Sequence, residues 1–224
     1  MLRAIIFDCD GVIADTEPLH YRAFCRVLEG VVPVPTEQAY FQKYVGLTDA
    51  AYVKTLFEEA GRPLEPERLG ELVLAKKGLY REMIEGELPL LPGVEEFIRR
   101  AAGRWALGIC SGALREEIEF LLRPRGLLPL FSVIVSAESV PTSKPDPTGF
   151  KLACRLLAEK SPGLQPNECL AVEDSRHGVT AAKAAGMKVL AVGAMAQSWR
   201  PSSADATVAD LTRVDDQMLA ALFL

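Results

Sequence analysis

The sequence predicts an α/β fold: a doubly wound parallel sheet with helices on both faces, and a small all-helical domain inserted near the N-terminus. Three features support this prediction: short, continuously apolar runs recur, helical patterns lie between them, and one long segment has helical patterns alone. Continuous apolarity, without alternation, is typical of strands that are buried on both faces.

Six apolar runs are the predicted strands, and polar or turn residues bound each of them. In chain order they are LRAIIFD (2–8), RWALGIC (104–110), FSVIVS (131–136), CLAVED (169–174), KVLAVG (188–193) and the weaker ATVADL (206–211). The predicted helices between them are GVEEFIRRAA (93–102), REEIEFLLRPRG (115–126), PTGFKLACRLLAEK (147–160) and GVTAAKAAG (178–186). This alternation favours a parallel sheet with right-handed crossovers.

Residues 16–90 break the alternation, because they contain helical stripes and no convincing strand. We therefore predict a core domain of residues 1–15 and 91–224, with a helical cap domain of residues 16–90 inserted after the first strand. Asp15 is expected to cap the first helix of the insertion. Lys76 falls on the apolar stripe of its helix, so it either snorkels to solvent or points into a cleft.

Composition narrows the function. The chain has 224 residues, 49% of them hydrophobic, and a net charge of −5 without any basic run. Nucleic acid and anionic membranes are therefore not expected partners. The N-terminus lacks a secretory layout and no apolar stretch approaches the length of a membrane span, so we expect a cytoplasmic protein. The sequence indicates no obligate protein partner.

Cysteine usage argues against thiol and zinc chemistry. The five cysteines include no C-x-x-C pair, which disfavours a disulfide framework or a zinc site. A cysteine phosphatase needs five residues between its cysteine and its arginine, whereas CSGALR has four between Cys110 and Arg115.

Polar residues that suit phosphoryl transfer follow the predicted strands, where parallel α/β sheets bind their ligands. They are Asp8 and Asp10 after the first strand, Ser111 and Gly112 after the second, Lys144 in a loop after the third, and Glu173 and Asp174 after the fourth. Clustered carboxylates favour Mg²⁺, and the lysine, the hydroxyl and the helix N-terminus near Gly112 favour a phosphate. Together they predict phosphoryl transfer through an aspartyl-phosphate on Asp8.

Four motifs, in order, resemble those of the haloacid dehalogenase superfamily: FDCDGVIADT, ICSG, SKPDP and VEDSRHGVTAAKAAGM. The resemblance is to the helical-cap branch, which includes phosphoglycolate phosphatase-like and β-phosphoglucomutase-like enzymes. It implies that Asp8 is the nucleophile and that Asp10 is the general acid and base, with its main-chain carbonyl facing the metal. The implied ligands of Mg²⁺ are Asp8, Asp10, Glu173 and Asp174, with Glu173 binding directly or through water. The implied phosphate-binding residues are Ser111 and Lys144, with Gly112 beside them.

Two residues early in the insertion have alternative interpretations. Thr16 either touches the phosphate or caps the first helix with its hydroxyl. His20 is either a surface or hinge residue or a substrate contact.

We predict a Mg²⁺-dependent phosphatase that acts on a small phosphorylated metabolite, such as a sugar phosphate or a phosphoglycolate-like compound. A phosphomutase on the same scaffold and a catalytically silent binding protein are the alternatives. Mutase relatives carry a cap-loop glycine followed three residues later by an arginine that grips a second phosphate. Here the residue three positions after Gly46 is Asp49, whose charge is opposite to that of the arginine. Lys43 or Lys76 is a possible substitute for the arginine.

Overall fold

The computed structural model describes residues 1–44, 47–86, 90–193 and 204–224. These residues contain one sheet, with strands β1 (Ala4–Phe7), β2 (Ala106–Cys110), β3 (Val133–Val135), β4 (Cys169–Glu173), β5 (Lys188–Val192) and β6 (Ala206–Val208). The strand order is β3-β2-β1-β4-β5-β6, and every neighbouring pair is parallel. The α/β fold and all of the predicted strands are confirmed.

The α-helices of the described residues are α1 (Glu17–Leu28), α2 (Glu37–Lys43), α3 (Asp49–Glu59), α4 (Pro66–Gly86), α5 (Val94–Ala102), α6 (Arg115–Leu122), α7 (Thr148–Lys160), α8 (Arg176–Ala184) and α9 (Asp216–Ala221). The predicted helix over 115–126 ends earlier than expected, at Leu122. Pro124 explains the difference, because its nitrogen has no N–H to continue the helical hydrogen bonds, although Arg123 before it keeps helical dihedrals. None of these helices combines the length and the apolarity needed to cross a membrane.

The chain folds as two compact units, Met1–Asp15 with Pro89–Leu224 (the α/β unit) and Thr16–Leu88 (the helical unit). In the α/β unit, β1 is central and all four of its residues are fully buried. Sheet order reverses beside β1, with β2 on one side and β4 on the other. Because all strands are parallel, the residues that follow β1, β2 and β4 meet at one edge, where ligands bind in such folds.

The helical unit packs α1 to α4 around an aromatic core. Tyr52 lies at its centre, and its ring centroid is 4.4 Å from that of Phe24. The expectation that Asp15 caps α1 is wrong, because the N-cap residue is Thr16 and its side chain makes no capping hydrogen bond. Pro18, in the first turn, has no N–H for such a cap to accept.

Candidate active site

Asp8 follows β1 directly, and its carboxylate is held in place by two donors. Its Oδ1 accepts a hydrogen bond from the backbone N of Cys9 at 2.8 Å, and it forms an ion pair with Lys144 Nζ at 3.0 Å. The residue is only 8% exposed. The carboxylate therefore has one orientation at the end of the central strand.

Lys144 bridges two carboxylates. Its Nζ lies 3.0 Å from Asp8 Oδ1 and 2.5 Å from Glu173 Oε1, and it lies 5.2 Å from the ring centroid of Phe150. Burial alone lowers the pKa of the ammonium, but the charges of Asp8 and Glu173 outweigh it and raise the pKa above its ordinary value. Lys144 is therefore a permanent cation beside Asp8.

Glu173 ends β4 and is completely buried. Its Oε2 accepts hydrogen bonds of 3.1 Å from the backbone N of Asp174, the backbone N of Ser175 and the Ser175 hydroxyl. Burial is the main cause that raises the pKa of Glu173, and the Lys144 ammonium opposes it.

Asp174 completes an acidic cluster with Asp8 and Glu173, in which one carboxylate oxygen of each lies within 4.8 Å of the others. Burial, and then the charges of Asp8 and Glu173, raise the pKa of Asp174 to about 8. Gly11 makes room for this carboxylate, because a Cβ there would lie 2.1 Å from Asp174 Oδ2. Gly11 also has a φ of +74°, which favours glycine over residues with side chains.

Asp10 lies two residues beyond Asp8, and its side chain is exposed. It forms an isolated bridge with Ala14. Its carboxylate is not part of the acidic cluster found among the described residues. Its predicted role as acid and base stays a prediction.

Ser111 follows β2, and its Oγ accepts a hydrogen bond from the backbone N of Ala113 at 3.1 Å. Gly112 is exposed, and α6 begins three residues later at Arg115. The donors at the start of α6 are already bonded to acidic side chains: Leu114 N to Glu117 and Arg115 N to Glu138. The helix N-terminus is therefore less suited to an anion than the sequence suggested, whereas the Ser111 and Gly112 contacts stay predictions.

The helical unit holds a polar cluster of its own. Lys76 is 1% exposed, and its Nζ lies 2.8 Å from Asp49 Oδ1 and 2.5 Å from His20 Nδ1. The snorkelling interpretation of Lys76 is therefore wrong, because the ammonium is buried and bonded. The centroid of the His20 ring lies 4.1 Å from that of Tyr80, and the two rings are tilted by 37°. Burial, followed by the Lys76 charge, lowers the pKa of His20 to about 3.

We expect His20 to stay neutral in the folded protein down to about pH 3. Because unfolding returns the imidazole to its ordinary pKa of 6.5, stability should fall as the pH drops from 6.5 towards 3. An NMR titration distinguishes His20 from His177, the second of the two histidines. A His20 pKa above about 5 would contradict the expectation, and His20→Gln should weaken the acid sensitivity of stability.

The acidic cluster and its lysine occupy the strand edge where a parallel α/β sheet binds ligands. The sequence profile of haloacid dehalogenase-like hydrolases matches residues 2–186. The chain belongs to the haloacid dehalogenase-like hydrolase family. The resemblance recognised from the motifs is confirmed, and so is the prediction of a phosphoric monoester hydrolase.

Relatives of this hydrolase act on phosphorylated sugars. It is 33% identical over 191 residues to a phosphorylated carbohydrates phosphatase from Thermotoga maritima, covering 84% of this chain and 83% of that protein. It is 31% identical over 188 residues to fructose-1-phosphate phosphatase from Escherichia coli, covering 84% of this chain and 95% of that protein. It is 27% identical over 197 residues to β-phosphoglucomutase from Bacillus subtilis, covering 86% of this chain and 84% of that protein.

The fold of the hydrolase matches that of CbbY from Rhodobacter sphaeroides in complex with phosphate, with a TM-score of 0.83, 25% identity and 100% coverage of both chains. CbbY has also been crystallised with xylulose 1,5-bisphosphate, and that structure gives a TM-score of 0.82 and 26% identity. The sequence match and the structural match therefore agree on the haloacid dehalogenase-like hydrolase family.

Proposed function

We propose that this hydrolase is a Mg²⁺-dependent phosphatase that removes the phosphoryl group from a small sugar or polyol monophosphate through an aspartyl-phosphate on Asp8. The observation that carries the proposal is the pairing of Asp8 with Lys144 inside an acidic cluster at the ligand-binding edge of the sheet. A carboxylate nucleophile and a cation for the phosphoryl oxygens thereby lie 3.0 Å apart.

The residues at this edge fit a magnesium ion. They offer oxygen ligands only. Burial, and then the charges of Asp8 and Glu173, raise the pKa of Asp174 to about 8, so a bound cation would favour the ionised carboxylates. We propose Asp8, Asp174, Glu173 and the main-chain carbonyl of Asp10 as the groups that hold the ion. When bound, Mg²⁺ neutralises charge beside the transferring phosphoryl group and makes its phosphorus more electrophilic.

The proposed reaction has two steps. In the first, a carboxylate oxygen of Asp8 attacks phosphorus, and the bond from phosphorus to the sugar oxygen breaks as Asp10 protonates that oxygen. In the second, water attacks the same phosphorus, Asp10 accepts a proton from the water, and the bond to Asp8 breaks to release inorganic phosphate. Lys144 and Ser111 hold the phosphoryl oxygens in both steps, together with the N–H of Gly112.

We propose that residues 16–90 act as a cap that selects the substrate, with Thr16 and His20 as its contacts to the substrate. The separate compactness of the helical unit supports a distinct role for this segment.

The charges in the helical unit favour monophosphates over bisphosphates. Of the two lysines that are possible substitutes for the missing arginine, Lys43 pairs with Glu59 at 2.5 Å and Lys76 pairs with Asp49 at 2.8 Å. Each ammonium is therefore compensated by a carboxylate, which weakens its attraction for a second phosphate. Gly46, the other residue of the mutase comparison, lies outside the described residues.

A panel of sugar monophosphates and bisphosphates tests the proposal. We expect kcat/KM for fructose 1-phosphate to exceed that for fructose 1,6-bisphosphate at least about ten-fold, and Asp49→Asn to narrow the ratio by removing the carboxylate that compensates Lys76. Glu71→Gln, which removes the carboxylate that pairs with the exposed Arg68 at 2.8 Å, is the matched control and should leave the ratio unchanged. If β-glucose 1-phosphate with a bisphosphate primer is isomerised faster than phosphate is released, the protein is a mutase and the proposal is wrong.

A further inference from the structure

We propose that Ser175 and Gly178 are positioning residues that form a cradle around Glu173, and that the cradled Glu173 aims Lys144 at the transferring phosphoryl group. This inference rests on the proposed phosphatase function and deepens it. In this proposal the main role of Glu173 is to anchor Lys144, the phosphate-binding lysine. Ser175 and Gly178, whose roles the motifs alone did not explain, hold Glu173 in place.

The hydrogen bonds of Glu173 separate its two oxygens by role. Oε2 accepts three hydrogen bonds, all at 3.1 Å, from Asp174 N, Ser175 N and the Ser175 hydroxyl. A carboxylate oxygen offers about two lone-pair sites, so Oε2 is saturated. Oε1 is the oxygen that reaches Lys144, at 2.5 Å. The hydrogen bonds to Oε2 therefore fix the orientation of the carboxylate, and Oε1 is left to bind the lysine.

Ser175 fixes the direction of its own hydroxyl proton. Its Oγ accepts a hydrogen bond from Gly178 N at 3.0 Å, which caps the N-terminus of α8. The same Oγ lies 3.1 Å from Glu173 Oε2, to which it donates. Because an ionised carboxylate only accepts hydrogen bonds, the hydroxyl proton points at Glu173 while the Gly178 N–H bonds a lone pair of the same Oγ. Removing the hydroxyl takes away one of the three donors to Glu173 Oε2 and leaves the two backbone N–H groups to hold it.

Gly178 supplies the space for the carboxylate. It lies within α8 and is not among the described glycines with positive φ, so its backbone conformation does not require glycine. A Cβ at this position would lie 1.8 Å from Glu173 Oε1 and 2.1 Å from Oε2. Since alanine is the better helix former, the contact with Glu173 is the physical reason for glycine here.

The cradle acts on the reaction through Lys144. The ammonium is shared between Asp8 and Glu173, and the ring of Phe150 lies 5.2 Å away. If Glu173 is displaced, Lys144 keeps Asp8 as its carboxylate partner and moves toward the nucleophile. The lysine then binds phosphoryl oxygens less well, and it also competes for the oxygen that must attack.

The test compares Ser175→Ala and Gly178→Ala with the wild type. For each protein, calorimetry measures the affinity for Mg²⁺ and for inorganic phosphate, and kinetics on an aryl phosphate gives kcat and KM. We expect kcat/KM to fall about ten-fold in Ser175→Ala and at least about a hundred-fold in Gly178→Ala, with weaker phosphate binding in both. Affinity for Mg²⁺ should fall less than affinity for phosphate, because Asp8, Asp174 and the main-chain carbonyl of Asp10 still hold the ion. Ser175→Thr, which restores the hydroxyl, should recover activity.

Two control variants separate positioning from helix stability. Gly70→Ala changes an exposed glycine of α4 whose added Cβ would meet nothing within 4 Å. Asp215→Ala removes the cap that bonds Met218 N at the start of α9. Both should leave phosphate affinity unchanged.

Wild-type phosphate affinity in Ser175→Ala and Gly178→Ala would overturn the inference. So would a loss of Mg²⁺ affinity without a change in phosphate affinity, because Glu173 would then serve the metal alone. If the wild type itself does not hydrolyse phosphate esters, the proposed function fails, and the direct binding of inorganic phosphate still decides the role of the cradle.

Discussion

Asp8→Asn is expected to leave less than about a hundredth of wild-type kcat, which corresponds to at least about 2.7 kcal/mol of lost transition-state stabilisation. The asparagine is isosteric, and its Oδ1 can still accept the hydrogen bonds from Cys9 N and Lys144 that hold Asp8 in place. Its amide group cannot attack phosphorus, so the variant should fold and bind phosphate esters without turning them over.

Steady-state kinetics with Mg²⁺ and an aryl phosphate measures this loss, and circular dichroism checks the fold. Asp210→Asn is the matched control, because Oδ1 of Asp210 likewise accepts a backbone hydrogen bond, from Thr212 N at 2.9 Å. The control should retain wild-type activity. Turnover by Asp8→Asn above about a hundredth of wild type would mean that another group is the nucleophile.

Asp174→Ala is expected to abolish Mg²⁺-dependent hydrolysis, and a chelator should silence the wild type. Asp174 shares a buried cluster with Asp8 and Glu173, in which the closest carboxylate oxygens lie within 4.8 Å. Its loss removes an oxygen ligand, so the affinity for Mg²⁺ should fall at least about ten-fold. Hydrolysis by the chelated protein would show that the edge of the sheet is not a metal site.

Although Asp174→Ala should abolish activity, it should increase the stability of the metal-free protein. Burial, and then the charges of Asp8 and Glu173, raise the pKa of Asp174 to about 8 from an ordinary value of 3.8. Its ionisation therefore destabilises the folded state as the pH rises from about 4 through 8. In chelator at pH 8, Asp174→Ala should unfold at a higher temperature than the wild type. A lower unfolding temperature would contradict the expected stabilisation.

Several features of this protein were predictable from sequence because they depend on local patterns. The continuous apolarity of residues 4–7 and 169–172 predicts buried strands, and the structure has β1 and β4 there. Asp8 immediately follows the first of these runs, and Glu173 and Asp174 follow the second. The parallel arrangement was therefore enough to predict that these carboxylates approach one another. The absence of strand patterns in 16–90 likewise predicted helices alone, as found in the described residues of that segment.

The partners of the buried charges were decided by the tertiary structure. Lys76 and Asp49 are 27 residues apart, and Lys144 and Glu173 are 29 apart. Neither pair has a signature in local periodicity. From its helix alone, Lys76 was compatible with an ammonium that snorkels to solvent, whereas the fold buries it against Asp49 and His20.

The order of the strands and the need for Gly178 also lie beyond the sequence pattern. Apolar runs specify that strands form, but which strands become neighbours follows from how the crossover helices pack on the sheet. From sequence, a glycine in a helix indicates only lower helix stability. The structure gives the reason for Gly178, because a Cβ at this position would overlap the carboxylate of Glu173. The sequence by itself determined the elements and the residues at their ends, because those depend on neighbours along the chain. The tertiary structure alone decided which of these side chains hold one another, because contacts between distant residues form only when the elements pack.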